Sequence, residues 1–196
     1  MDGDQPSAPL MDGVGLLERA IGYTLGSLQM VTPAAYSRPS PCKGWDLRDL
    51  LRHMDDSWQA IHEAADLSRV GLPASTDYGD PVSDPVATLR NRACSMLGAW
   101  TNANDRHLVA MGGRRLTAGV VVTTGAVEIT VHGWDVAQSC GHPHAIPSTF
   151  AEELLPLAAL IVSDADRPAR FAAPLPVIST AAPDVRLLAF LGRAQS

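Results

Sequence analysis

Apolar residues recur at spacings of three and four along most of this chain, a period that fits helices and fits strands poorly. Val14, Leu17, Ile21, Leu25 and Leu28 form the first stripe, which Thr32-Pro33 ends. Leu47, Leu50, Leu51, Met54, Trp58 and Ile61 form the second, running to about Leu67. Asp46 and Asp49 open it, one carboxylate accepting unpaired backbone N–H groups and the other complementing the helix dipole. Asp84-Pro85 caps a third helix carrying Val86, Leu89, Ala93, Met96, Leu97 and Trp100. Later, Thr149 and Glu152 spell a capping box before Leu154, Leu157, Leu160 and Ile161, with Pro156 in an early turn. A short closing helix runs from Asp184 to Leu191, and Gly192 stops it.

Between the third and the later helix the reading is harder. His107 to Leu116 suggests a small hairpin about Gly112-Gly113. After it, Val127, Ile129 and Val131 alternate with Glu128, Thr130 and His132, and local pattern supports strand and helix equally. The surrounding helices, and Gly141 placed to end one, favour a helix over Gly119–Gln138. The expected fold is all-α, an up-and-down four-helix bundle with an additional helix and a short extended C-terminal tail, Phe171–Thr180 being extended by its prolines.

A length of 196 residues suits one domain. We expect a mobile N-terminus over 1–9, a single helical-bundle domain over 10–196 that includes a C-terminal extension over 166–196, and a linker over Gly71–Ser83. Hydrophobic residues make up 46% and charged ones 18%, with no apolar run long enough to span a membrane and no leader-like start, so the expected location is cytoplasmic. A net charge of −6 without a basic stripe argues against nucleic acid. Cys42, Cys94 and Cys140 are odd in number and widely spaced, which supports neither a disulfide framework nor a zinc ribbon. A monomer or homodimer acting on a small molecule is the expected form.

If the Gly119–Gln138 stretch is helical, Glu128 and His132 share a face and can grip one divalent ion, and His53 on the second helix is a candidate third ligand. A hydrogen bond between Glu128 and His132 accounts for the pair without an ion, and on residue type alone it is the plainer reading. Asp56, three residues after His53, is a candidate to orient it, take a proton or supply a fourth ligand, against the reading of a solvated acid. Arg114 and Arg115 are candidates to hold a carboxylate or sugar of a bound cosubstrate, against a charged turn. His62, His107, His142 and His144 are expected to be solvent-exposed.

Three stretches carry a resemblance: Cys42-Lys-Gly-Trp-Asp-Leu-Arg-Asp-Leu-Leu-Arg-His53, Glu128-Ile-Thr-Val-His-Gly-Trp-Asp135, and Phe171-Ala-Ala-Pro-Leu-Pro-Val with Leu187-Leu-Ala-Phe-Leu-Gly-Arg193. They resemble the actinobacterial metal-binding proteins related to the N-terminal domain of mycothiol-dependent maleylpyruvate isomerase, within the DinB superfamily. The resemblance implies a four-helix bundle and a helical Glu128–His132 segment. It implies one divalent metal, usually zinc, on His53, Glu128 and His132, with Asp135 in support and Trp134 in packing.

Two histidines and a carboxylate leave metal positions open, which marks a catalytic site. The expected function is a metal-dependent enzyme that uses a low-molecular-weight thiol such as mycothiol for transfer to, or isomerisation of, a small electrophile. The alternatives are a thiol-independent metalloenzyme performing hydrolysis, elimination or cyclisation, and a binding protein without turnover. Iron or nickel suits the same donors.

Overall fold

The computed structural model describes residues 8–67, 84–103, 108–111, 114–167 and 171–194. The chain divides into two compact units, Met1–His142 and Pro143–Ser196. The first holds α1 (Ala8–Leu28), α2 (Leu47–Leu67), α3 (Pro85–Asn102) and α4 (Ala118–Cys140). A hairpin of β1 (Leu108–Met111) and β2 (Arg114–Thr117) joins α3 to α4, with Leu108 opposite Thr117 and Met111 opposite Arg114. Around the bundle α1 packs on α4, α4 on α2, α2 on α3 and α3 on α1. The all-α bundle is the one that the periodicity predicts. The expected mobile stretch 1–9 is described only from Ala8, which already starts α1; residues 1–7 and the expected linker Gly71–Ser83 lie outside the described residues.

Individual contacts give the helix directions. Gly13 lies by Val122 and Gly133 by Thr24, so α1 and α4 run parallel. Ile61 lies by Gly125 while His53 meets Glu128, so α2 runs against α4. Arg92 reaches Asp55 and the Trp100 indole donates to the Ile61 carbonyl, so α3 follows the direction of α2. The order is up, down, down, up, so the all-α bundle lacks the strict up-and-down alternation expected from short loops.

At the start of α2, the Asp49 backbone N–H donates to Asp46 Oδ1 at 2.9 Å and the Asp46 N–H donates back to Asp49 Oδ2 at 3.4 Å. Asp84 caps α3 by accepting from the Ala87 N–H at 3.0 Å. The reciprocal pair at α2 and the single bond at α3 satisfy donors that a helix start leaves open.

The ambiguous segment is helical because the bundle buries it on nearly every side, and packing outweighs β-branched propensity. Thr117 caps its start, and Gly141 ends it with φ +74, in the left-handed region where glycine carries no steric penalty. The hydroxyls of Thr124, Thr130 and Ser139 donate to the carbonyls of Val120, Ala126 and Asp135, four residues earlier. Thr24 Oγ1 on α1 donates to the Ile129 carbonyl at 2.8 Å. Polar side chains on an apolar helix are thus paired locally or with α1.

Leu17, Leu28, Leu47, Leu50, Leu51, Met54, Trp58, Leu89, Met96, Trp100 and Ile129 are fully buried and form the core of the first unit. At its edge Arg92 forks onto both oxygens of Asp55, at 2.6 and 3.1 Å, tying α3 to α2. No helix among the described residues is long and apolar enough to cross a membrane.

The second unit pairs α5 (Ser148–Ile161) with α6 (Pro183–Phe190). The expected capping box of Thr149 and Glu152 does not form, because α5 begins two residues earlier, with Pro147 at the N-cap position, and has no side-chain cap. Pro156 consequently lies well inside α5, where its ring removes the N–H that would bond the Glu152 carbonyl. The irregular stretch from Phe171 is anchored where the Leu175 N–H donates to the Ala189 carbonyl at 2.8 Å. Arg167 donates to the Phe190 carbonyl at 2.8 Å and lies over that ring. Gly192, at φ +78, ends α6 where an added Cβ would fall 2.6 Å from Ala172 Cβ.

The α1–α4 contact generates a test. An added Cβ at Gly133 would sit 2.4 Å from Thr24 Oγ1 and 3.1 Å from Thr24 Cα, whereas at Gly98, exposed on α3, it would meet nothing within 4 Å. Gly133→Ala should cost about 1–3 kcal/mol by overpacking, and Gly98→Ala should gain about 0.5–1 kcal/mol from helix propensity. Urea unfolding of the two variants beside the parent checks both signs.

Candidate metal centre

His53 and Ser57 stand one turn apart on α2, facing Glu128, His132 and Asp135 on the antiparallel α4. His53 Nε2 is 2.9 Å from Glu128 Oε1, and His132 Nε2 is 3.2 Å from the same oxygen. The two imidazoles meet edge to face, with centroids 5.0 Å apart. One donor atom from each of His53, Glu128 and His132 lies within 4.8 Å of the others.

Whether these residues suit a metal can be judged from their chemistry. A tetrahedral ion with metal–nitrogen and metal–oxygen bonds of about 2.0–2.1 Å separates its donors by about 3.3 Å, close to both separations from Glu128 Oε1. His132 is nearly sealed, with 9% of its side chain exposed, while His53 retains 36%, so the set has a closed inner side and an open outer one. The donors fit a divalent ion and leave room for a further ligand. Without an ion, the same atoms satisfy one another by hydrogen bonding.

Asp135 is fully buried, and its Oδ2 lies 2.9 Å from His132 Nδ1. With the Nδ1 proton donated to this carboxylate, the Nε2 lone pair faces the other donors and the ring orientation is held. The thiol of Cys42 donates to the same Oδ2 at 3.4 Å. On the open side, Trp45 sets its ring 4.9 Å from that of His53 and is partly exposed.

The electrostatics of the metal-free cluster run in opposite directions for its two central groups. Burial pushes the Glu128 carboxyl up, but the charges and hydrogen bonds of His132 and His53 prevail and hold it well below its ordinary value. Burial likewise works against a charged His132, yet Glu128 and hydrogen bonds to Asp135, Cys42 and Glu128 raise it well above its ordinary value. The protonated form of His132 is thereby favoured between Glu128 and Asp135, and an ion binding at Nε2 competes with that proton.

The other candidates fall elsewhere. Asp56 is exposed, and among the described residues Ser57 is the neighbour of His53, its hydroxyl 3.5 Å from Nε2 and 3.4 Å from Glu128 Oε1. Arg115 is exposed on β2, opposite Ala110, with no described contact to the three donors; Arg114 opposes Met111 and its side chain lies outside the described residues. His62, expected in solvent, is half-buried and meets Asp66 at 3.3 Å. His142 is exposed, His144 is half-buried, and His107 lies outside the described residues. Trp134 is buried, as packing requires. Ser57 was legible, since it stands four residues from His53 on the same face; Cys42 was not, because only the fold brings it to α4.

The profile of the family described as mycothiol maleylpyruvate isomerase N-terminal domain matches residues 17–137. The chain belongs to this family. The match spans α2 and nearly all of α4, and with them all three donors, and the family is DinB-like, in agreement with the helical bundle. No curated protein and no solved structure matches the chain significantly.

Two outcomes follow from this geometry. Asp135→Asn should weaken zinc binding roughly 10–100-fold, read by competition with a chromophoric chelator; an unchanged affinity would remove Asp135 from the support of His132. The pH dependence has a definite sign. The raised His132 stabilises the metal-free fold fully below its ordinary 6.5, and that contribution is lost as pH rises through its folded value. The lowered Glu128 contributes above its ordinary 4.5 and is lost as pH falls through its folded value. Zinc uptake should accordingly release protons and tighten as pH rises, measured calorimetrically in buffers of different ionisation enthalpy.

Proposed function

We propose that this protein is a divalent-metal-dependent enzyme that activates a low-molecular-weight thiol of the mycothiol class for transfer to, or isomerisation of, a small electrophile. The observation that carries the reading is the convergence of His53, Glu128 and His132 within a segment belonging to the mycothiol maleylpyruvate isomerase N-terminal domain family. Zinc suits two imidazoles and one carboxylate with an open position.

His53, Glu128 and His132 would hold a divalent ion that would lower the pKa of a bound thiol and so supply a nucleophile near neutral pH. The protein's own residues set the conditions for that chemistry. Asp135 keeps the Nδ1 proton of His132 in place, so that the ring donates through Nε2 alone. Glu128 would offset one charge of such an ion and leave a residual positive charge suited to an anionic sulfur. The Ser57 hydroxyl, 3.4 Å from Glu128 Oε1, donates to that carboxylate and orients it, while the proton of an incoming thiol leaves for solvent on the open side. Trp45 sets its ring beside His53 on the open side, an apolar surface for a bound substrate.

Thermal unfolding with mycothiol tests the reading. Free mycothiol at about 100 times its Kd should stabilise the zinc-loaded protein by about 2.7 kcal/mol, and should do little for the metal-free protein or for Glu128→Gln offered zinc. S-methylated mycothiol, which cannot ionise at sulfur, should be much weaker. Equal shifts with the free and methylated thiols, or none with either, would overturn thiol activation.

A further inference from the structure

His132 presents a second donor set on the side of its ring away from His53. Nδ1 lies 2.9 Å from Asp135 Oδ2 and 3.9 Å from Cys42 Sγ, and that sulfur lies 3.4 Å from the same oxygen. A tetrahedral ion with metal–sulfur bonds of about 2.3 Å and metal–nitrogen or metal–oxygen bonds of about 2.0–2.1 Å separates such donors by about 3.3–3.6 Å. All three observed separations lie within about half an ångström of those zinc-length edges, and a larger ion requires the donors to part further. Donor atoms of Cys42, His132 and Asp135 fall within 4.8 Å of one another, and two of these residues are buried.

The sulfur is held there by its own turn. The Cys42 N–H donates to Ser40 Oγ at 3.2 Å, the Trp45 N–H donates to the Cys42 carbonyl at 3.0 Å, and Gly44 closes the turn at φ +84. Asp135 is fixed on α4, where its backbone carbonyl accepts from Ser139. One thiolate and one carboxylate balance a divalent charge, which a buried site favours. Sulfur selects soft ions, whereas the set formed with His53 and Glu128 holds only nitrogen and oxygen.

We propose that Cys42, Asp135 and Nδ1 of His132 form a second cation site, specific for a thiophilic divalent ion such as cadmium, which competes with the first set for one imidazole. On binding, Cys42 Sγ gives its proton to solvent and forms the metal–sulfur bond. The Nδ1 proton also leaves, and the neutral ring keeps its proton on Nε2, 3.2 Å from Glu128 Oε1. A ring in that form has no Nε2 lone pair to offer. Filling the second site therefore takes His132 from the first set, and on the function proposed above a thiophilic ion inhibits the protein without touching His53.

Cadmium chloride titrated into the metal-free full chain tests this through the thiolate-to-cadmium charge-transfer absorption in the ultraviolet, to which the first set cannot contribute. The band should saturate at one equivalent, vanish in Cys42→Ser although Cys94 and Cys140 remain, and persist in His53→Ala. In zinc-loaded protein it should grow as zinc is released to a chromophoric chelator. No sulfur band in the wild type, a band that survives in Cys42→Ser, or zinc retained while the band saturates would overturn the second site. Zinc binding with no cadmium–sulfur band would remove this site and leave the first set standing.

Discussion

A carboxylate and an imidazole on a helix that is otherwise apolar on almost every face must find partners inside the bundle, because water reaches them only from one side. Glu128 Oε1 takes His53 Nε2 and His132 Nε2, and Asp135 takes the other nitrogen of His132. Every member of the chain has a counterpart, and no buried side-chain nitrogen or oxygen among the described residues lacks one. Such a network is stable only when complete, since removing one member strands a buried charge. The same completeness gives the site its chemistry, because the donors that satisfy one another without an ion stand almost at the spacing an ion requires.

Close helix packing makes the network geometrically available. Gly133 admits Thr24 of α1 against the backbone of α4, and Gly125 admits Ile61 of α2 on another face. α4 is thereby held between two helices at short range, and the antiparallel course of α2 brings His53 level with Glu128 and His132. The turn before α2 then carries Cys42 to one side of the donors and Trp45 to the other. A few small residues thus determine which side chains meet, while the polar residues determine what they do.

Much of the bundle was legible from periodicity. The Asp46–Asp49 and Asp84–Pro85 signals opened α2 and α3 where they were expected, because caps act locally and need no tertiary information. α4 was not settled by its own pattern, since Val, Ile and Thr favour strands and only burial against α1 and α2 overrides them. At Thr149 and Glu152 the local signal misled, as Pro147 and Ser148 started the helix earlier. In the site, the i,i+4 spacing exposed Glu128 and His132, but beside His53 the sequence reading took Asp56, three residues on, where the structure places Ser57, four residues on. Cys42, ninety positions from His132, joins the site only through the fold.

Zinc K-edge X-ray absorption of the reconstituted full chain tests the central claim most directly, because it reports which atoms touch the ion. The account predicts a nitrogen and oxygen shell at about 2.0–2.1 Å, with scattering from two imidazoles and no sulfur. A shell containing sulfur, a single imidazole, or a chain that takes up no zinc would contradict a site built from His53, Glu128 and His132.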